Sequence, residues 1–493
     1  MELLGVDVLV CGGGMSGLAC ANFAAQAGCK VLLVEKQSHL GGSSNYSAGM
    51  FWAPKDIESL RAWIPRGDPV LQRSFLEDFL PCVEWLRQNG VPVSSRFDGM
   101  MTIGRGFPIS IPFLHDLHQK RIKEAGTGSD IYLDTAIVKL IQEAPGVSTS
   151  SITGAVIRRN LASSETKYYQ VTAKAVVLAT GGFQGSHDLV STYLGPGMDN
   201  IFVRSNRGSA GDGNKLARSV GAGLSRGLST YYGHLMAAPL REENVNPKDF
   251  LALAQYQSKH CLLINDAGRR FVDETLGDEI INQHLAKQAS RRGLLLFTEK
   301  TKKEHCVSAP FPRAGNVDRV EKAREYGCHV ASSATMDGLI DILVKWGVNG
   351  QQARETLYKY NAVVADGDKE VLLDTPVGRM GSPPEPLTLD HGPFYAMEVQ
   401  PSITFPYGGV AINRHGQALS EDGTVIPGLF VAGVDAGGLS NFGYAGGLAV
   451  AFITGLWASR SVVNQLNLSP PRLPNADAND VQADARFVIR SLL

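Results

Sequence analysis

Residues 6–35 read VDVLVCGGGMSGLACANFAAQAGCKVLLVE. An apolar run at 6–10 has the length of a buried strand. Gly12, Gly13 and Gly14 interrupt it, small apolar residues follow at helical density, and a second apolar run at 30–34 ends in Glu35. The order predicts strand, turn, helix and strand, a single βαβ unit. Continuous apolar runs recur at 175–182 (AVVLATGG) and 426–433 (IPGLFVAG), each closing on small residues and glycine. Such runs belong to strands buried on both faces, as in a parallel sheet. Across 315–365, charged and apolar residues alternate at helical spacing in VDRVEKAREYG, MDGLIDILVKWGV and ARETLYKYNAVVA. These predict amphipathic helices with no chemistry of their own. The stretch LSPPRLPNADAND near the C-terminal end is rich in Pro, Asn and Asp and is expected to be a surface tail.

Composition narrows the class. A chain of 493 residues exceeds one ordinary core, so two or three domains are expected. An apolar content of 44% with 19% charged residues marks a globular protein. The net charge of −1 argues against a nucleic-acid partner held by bulk electrostatics, and no apolar run reaches bilayer length, so no membrane partner is expected. The seven cysteines are scattered without a CxxC, so no metal is indicated. Cys11, Cys20 and Cys29 are expected to be buried thiols. With no basic leader before the first strand, a reducing, cytoplasmic setting is expected.

The glycine turn carries candidate chemistry. Gly12, Gly14, Met15, Ser16 and Gly17 would let backbone approach a pyrophosphate at a helix N-terminus, where N–H groups and the dipole favour anions. Glu35 closes the second strand, where a carboxylate accepts both ribose hydroxyls. The full order of strand, glycines, helix, strand and acid separates this from a plain Gly-rich loop. The fingerprint serves NAD and FAD alike. After Glu35 come Lys36 and the loop LGGSSNYSAGM, with Gly42, Ser43, Ser44, Ser47, Ala48 and Gly49. That loop is donor-rich and suited to wrapping a pyrophosphate and its neighbouring chain. Three distant strands ending in glycine turns fit one extended cofactor.

Taken together, these segments resemble the fumarate reductase/succinate dehydrogenase flavoprotein superfamily, in particular its soluble 3-ketosteroid-dehydrogenase-like branch. The likeness runs through the fingerprint, the GGSS loop, ATGG at 179–182, GSAGDG at 208–213, NDAGRRFVDE at 265–274, PFYA at 393–396, YGGV at 407–410 and NFGYAGGLAVAF at 441–452. It implies an α/β fold: a Rossmann-type split FAD-binding domain with an inserted α+β capping domain. The expected limits are 1–224 and 391–467 for the two FAD-binding parts, 225–390 for the cap and 468–493 for the tail. The resemblance adds Val138, Ala179, Thr180, Gly181, Asp212, Gly433, Leu448 and Ala449 to the cofactor contacts. Members that bond FAD covalently use a histidine where this chain has Ser43. No histidine lies between Gly41 and Pro54, so FAD is expected to be non-covalent.

The flavin end is expected at YAGGLA. Helix N–H groups at 448–453 would stabilise negative charge on the reduced ring. Dicarboxylate reducers of this superfamily carry arginine at the position of Tyr444, and histidine near Phe405. The ketosteroid dehydrogenases have tyrosine at the former, and its hydroxyl polarises the substrate ketone together with a backbone N–H, here that of Leu448. Leu448 replaces a glycine of that context and narrows the approach. With both carboxylate anchors missing, a neutral, partly apolar carbonyl substrate is expected.

In RRFVDETLGDEI, Asp278 falls where the superfamily places its proton-transfer residue, with Glu274 and Glu279 as neighbours in case of a register slip. Asp278 also suits a helix N-cap, since a helical pattern follows it. Tyr231, Tyr232 and His234 in STYYGHL, with Phe51, Phe405 and Leu448, are candidate substrate contacts; a lone histidine there is more often structural, and Phe51 and Trp52 suit core packing equally. The expectation is an FAD-dependent oxidoreductase that desaturates or reduces a C–C bond beside a carbonyl of a small molecule, using an external electron acceptor or donor. A double-bond isomerase without net redox change, and an idle flavin-binding protein, are the alternatives.

Overall fold

The strand Glu2–Cys11, the helix Met15–Gln26 and the strand Val31–Val34 form the βαβ unit that the apolar pattern predicts. The computed structural model describes residues 1–96, 103–147, 150–161, 165–309, 315–365 and 389–476. It divides the chain into two units. Unit 1 holds Met1–Asp199, Ser205–Tyr231 and the chain from Phe405 on; unit 2 holds Asn200–Arg204 and Tyr232–Thr404.

Unit 1 is built on an eight-stranded sheet. Val425–Val431, Thr166–Leu178, Glu2–Cys11, Val31–Val34 and Asp130–Tyr132 run parallel in that order, and Gln417–Leu419 adds antiparallel to the first. Ile152–Asn160 and Thr135–Gln142 extend the sheet antiparallel from Thr166–Leu178. The central strands are apolar throughout because both faces are covered: Val8, Leu9, Val10 and Cys11 are all fully buried. The helices Met15–Gln26 and Leu448–Gln465 pack together on this sheet.

Unit 2 carries an antiparallel sheet of Leu262–Asn265, Gly293–Thr298 and Phe394–Gln400, with Met236–Ala237 and Val330–Ser333 both paired to the last. Its side chains alternate strictly. Leu263, Leu295, Phe297, Met397 and Val399 pack with Ile281 and Leu285 on one face. Leu262, Ile264, Leu294, Leu296 and Ala396 pack with Leu339, Ile340, Leu343 and Leu357 on the other. The amphipathic helices expected in 315–365 are Arg319–Glu325, Met336–Lys345 and Gly350–Ala365.

The sequence put the limits of the inserted segment at 225 and 390. The strand Phe394–Gln400 moves the second limit, because its ladder with Gly293–Thr298 ties PFYA to unit 2. The expected tail lies partly outside the described residues, from 477 on. All seven cysteines are buried and free. Among the described residues no helix is long and apolar enough to cross a membrane.

Candidate functional site

In unit 1 the three glycine-ended strands lie side by side, with Cys11 opposite Leu178 and Leu178 opposite Val431. Their turns meet closely. A Cβ on Gly12, whose φ is +113°, would stand 2.1 Å from Ala179 O; one on Gly433 would stand 2.3 Å from Ser16 Oγ. Gly14 differs. Its φ of −78° suits any residue, and a Cβ there would meet nothing nearer than Gly41 O at 3.9 Å. It is the N-cap of Met15–Gln26, yet no side chain caps that helix and no acid stands in its first turn. The helix therefore offers bare N–H groups beside open space, a fit for a pyrophosphate. Glu35 is buried next to it. Its Oε2 accepts the Gly13 N–H at 2.7 Å and its Oε1 the Gln37 N–H at 2.9 Å, which leaves lone pairs on both oxygens for ribose hydroxyls. These residues fit FAD.

The GGSS loop packs on this turn. Gly41 N–H donates to Gly13 O at 2.8 Å, and a Cβ on Gly42 would stand 3.4 Å from Gly14 Cα. Ser43 Oγ accepts the Asn206 N–H at 3.3 Å, and Ser47 Oγ donates to Ser44 O at 2.7 Å. Ser44 is buried, donates to Gly41 O at 2.5 Å and lies 3.1 Å from His115 Nε2. Burial pushes His115 down to about 4 and His118, one turn on, to about 3, so both are neutral. Ala48 is half-buried. Gly49 has a packing reason: its Cβ would lie 2.5 Å from Ile109 O. Lys36 pairs with Asp212 at 2.7 Å. Val138 is the residue skipped between Ile137↔Ile157 and Lys139↔Val156, a bulge, and is 47% exposed.

One residue escaped the sequence reading. Asp435, buried two residues beyond Gly433, accepts Thr180 N–H and Oγ1–H at 2.5 and 2.8 Å and Gly182 N–H at 3.0 Å. Burial raises its pKa, and Thr180 and Gly182 oppose the rise. Thr180 Oγ1 in turn accepts Gly213 N–H at 2.9 Å. A single carboxylate thus fastens the turn Ala179–Gly181 to the helix Asp212–Ser219. The signal was an acid inside an otherwise apolar, glycine-flanked run, VAGVDAGG.

The other end of unit 1's candidate cradle is the start of Leu448–Gln465. Its N-cap is Gly447 with no side-chain cap, so Leu448 opens the helix with free N–H groups; Ala449 behind it is fully buried. Tyr444 is buried, and a Cβ on Gly447 would lie 3.2 Å from its hydroxyl. Trp52 stacks on Tyr444 with centroids 5.4 Å apart, and Phe405 tilts against it at 6.4 Å. Phe51 does not join them. It is fully buried against Phe79 and Phe452, so the substrate-contact expectation for Phe51 is corrected. Successive residues of a strand face opposite ways, and in Met50–Pro54 it is Trp52 that faces Tyr444.

In unit 2, Asp278 opens the helix Asp278–Leu285, but the N-cap is Gly277 and no side chain caps it. The capping expectation for Asp278 is therefore corrected. Its carboxylate instead meets His234 Nδ1, and His234 Nε2 lies 3.0 Å from the Tyr232 hydroxyl. His234 is buried, with the Tyr256 ring against it at 4.9 Å. Burial pushes the imidazole's pKa down; Asp278 opposes the shift and Arg204 reinforces it. Arg204 is 6% exposed and donates to the Tyr256 hydroxyl at 3.2 Å, while buried Arg319 lies over the Tyr256 ring. Glu274, a fallback for Asp278, is spent on Arg270 and on the Leu263 N–H at 2.9 Å. Glu279 is buried on the same helix as Asp278.

A family model described as FAD binding domain matches residues 7–449. The NADH:fumarate oxidoreductase of Klebsiella pneumoniae (strain 342) is 26% identical over 470 residues, 91% of this chain; the chain spans only 46% of that protein. The vinyl phenol reductase of Lactiplantibacillus plantarum is 25% identical over 482 residues, covering 89% of this chain and 91% of that one. In fold the chain is similar to 3-ketosteroid delta1-dehydrogenase from Sterolibacterium denitrificans, with a TM-score of 0.71, 18% identity, and 94% and 100% of the two chains covered.

Proposed function

Because the chain belongs to the FAD binding domain family, within the fumarate reductase/succinate dehydrogenase flavoprotein superfamily, we propose that it desaturates or reduces a C–C bond beside a carbonyl. The chemistry FAD supplies when bound is the release or acceptance of one hydride. The turn Gly12–Gly17, Glu35 and the GGSS loop hold the cofactor without a covalent bond. The observation that carries the reading is the Tyr444 hydroxyl beside the uncapped start of Leu448–Gln465. A phenolic O–H and a bare helix N–H are donors for a carbonyl oxygen that gains negative charge as the neighbouring carbon reacts. A guanidinium would grip a carboxylate in that place; a tyrosine suits a neutral ketone, with Trp52 and Phe405 as apolar neighbours. Asp278 in unit 2 exchanges the proton with carbon, and His234 and Tyr232 accompany it.

The relatives in sequence, an NADH:fumarate oxidoreductase and a vinyl phenol reductase, favour the same class of chemistry. Electrons come from or go to an external partner, and seven buried free thiols suit the cytoplasm. The test is anaerobic. Purified protein is titrated with saturated cyclic ketones while the visible flavin band is followed, and the reduced protein is then offered 2-cyclohexenone and other enones. Bleaching marks a dehydrogenase and reoxidation a reductase. A flavin that ignores both panels refutes the proposal and leaves the isomerase and idle readings standing.

A further inference from the structure

The contact between Asp278 and His234 joins residues 44 apart in sequence and forms the middle of a longer chain of groups. Tyr232 is half-buried, His234 is 6% exposed, and the Asp278 side chain is 15% exposed. The directions of the hydrogen bonds follow from chemistry. A carboxylate only accepts, so Nδ1 carries the imidazole hydrogen; Nε2 of the neutral ring then accepts, and the Tyr232 hydroxyl donates to it. Every donor points toward Asp278.

The frame around His234 is tight. Ser402 Oγ donates to His234 O at 2.6 Å, and the His234 N–H donates back to Ser402 Oγ at 3.3 Å. Asn282, one turn beyond Asp278 on the same helix, donates to Ser402 O at 3.0 Å and accepts the Ser402 N–H at 2.9 Å. Gly233 is needed for this approach, since a Cβ there would lie 1.8 Å from Ser402 O. One helix therefore holds the acid directly and, through Asn282 and Ser402, the backbone of its partner. The charged and titratable groups facing the imidazole are Asp278, Tyr232, Arg204 and Tyr256, with Arg319 behind the last. Burial and the Arg204 guanidinium both oppose a positive charge on the imidazole, so the ring works as a neutral conduit.

We infer that Tyr232, His234 and Asp278 form a proton relay, in which His234 is the positioning residue that holds Asp278 and resupplies it. The inference rests on the reading of Asp278 as the proton-transfer group. In the reductive direction, Asp278 gives its proton to a substrate carbon, and the new C–H bond takes its electron pair from the C=C bond. Asp278 regains a proton from His234 Nδ1 as Nε2 takes the hydroxyl proton of Tyr232; water reprotonates Tyr232, and exchange of the ring hydrogen with water restores the resting Nδ1–H tautomer before the next turnover. The hydride that balances the reduction is the cofactor's contribution. Desaturation is the reverse.

The test has two arms. In holoenzyme labelled with ¹⁵N-histidine, His234 is expected as the neutral Nδ1–H tautomer near neutral pH; an imidazolium, or the Nε2–H tautomer, would overturn the relay. The second arm follows reoxidation of the dithionite-reduced enzyme by 2-cyclohexenone. His234→Asn keeps a donor for Asp278 but cannot conduct. It is expected to lower kcat about 10²-fold with KM within about threefold, and added imidazole is expected to restore part of the rate. Tyr232→Phe, which leaves the His234–Asp278 pair intact, is expected to lower kcat about tenfold. If both variants keep the wild-type rate while Asp278→Asn loses it, the relay is wrong and the role of Asp278 stands. If Asp278→Asn also keeps the rate, the proposed function itself has failed.

Discussion

A Cβ placed on Gly17 would lie 1.8 Å from the carbonyl oxygen of Gly12, so the first turn of the helix rests directly on the strand-ending turn. Gly14, three residues earlier, faces open space with an ordinary backbone conformation. The two glycines thus serve different ends, close packing and cofactor access.

Gly17→Ala is therefore expected to fold poorly, with a loss of a few kcal/mol from forced backbone movement. Gly14→Ala is expected to melt within about 1 kcal/mol of wild type as apoprotein but to purify without flavin. Thermal melts with flavin absorbance separate the two. Equal behaviour of the variants would break the assignment of Gly14 to the pyrophosphate.

FAD is expected to leave on acid precipitation, with all flavin in the supernatant, because Ser43 stands where a covalent histidine would. Glu35→Gln is expected to raise the Kd for FAD by about tenfold, one charged hydrogen bond's worth. Flavin retained on the precipitated chain would contradict the non-covalent reading.

Asp278→Asn is expected to cut turnover by about 10²–10⁴-fold while the flavin spectrum is unchanged. The variant cannot hold an acidic proton, whereas the helix keeps Gly277 as its N-cap and Glu279 as an acid in its first turn. Wild-type turnover would remove Asp278 from the reaction.

Tyr444→Phe keeps the stack on Trp52 and removes only the hydroxyl. Loss of one donor to a developing oxyanion is expected to cost about 10²-fold in kcat. A change confined to KM would make Tyr444 a wall of the site and no more.

His118 is fully buried between Trp85 and Phe452, and its pKa is about 3. The unfolded chain takes up its proton below about pH 6.5, while the folded one stays neutral until about 3, so stability falls as pH drops through that window, by about 1.4 kcal/mol per unit. From pH 8 to 5, wild type is expected to lose about 2 kcal/mol more than His118→Leu. Denaturation curves of the two proteins that run parallel with pH would refute this.

The sequence announced what is local. Gly12 to Glu35 carries its own fold in one stretch, and the buried strand segments at 175–178 and 429–431 are legible because both their faces are apolar. What it hid is set by distance and parity. Phe51 and Trp52 are equally aromatic neighbours, and only the pairing of Met50–Pro54 with Gly104–Pro108 decides which one turns to Tyr444. Asp278 looked like a helix cap because Asp favours that position; its true partner lies 44 residues upstream, beyond any local pattern. Asp435 drew no reading from its local sequence, because the partner that gives it meaning, Thr180, lies 255 residues away. The strand Phe394–Gln400 read as part of the second half until its ladder placed it.

That 255-residue span also orders events during synthesis. Leu178 emerges with one neighbour, Cys11, already made, but its other, Val431, is translated only after the whole of unit 2. At ~5–20 residues per second the gap lasts roughly 10–50 s. Through that time the edge of Thr166–Leu178 at Val176–Leu178 has no ladder partner, and Thr180 waits for the Asp435 carboxylate. An unpaired apolar edge invites other chains. The nascent protein is thus most exposed to aggregation after its nucleotide fingerprint is complete and before its last sheet strand exists, a window in which a chaperone or early-bound FAD would matter most.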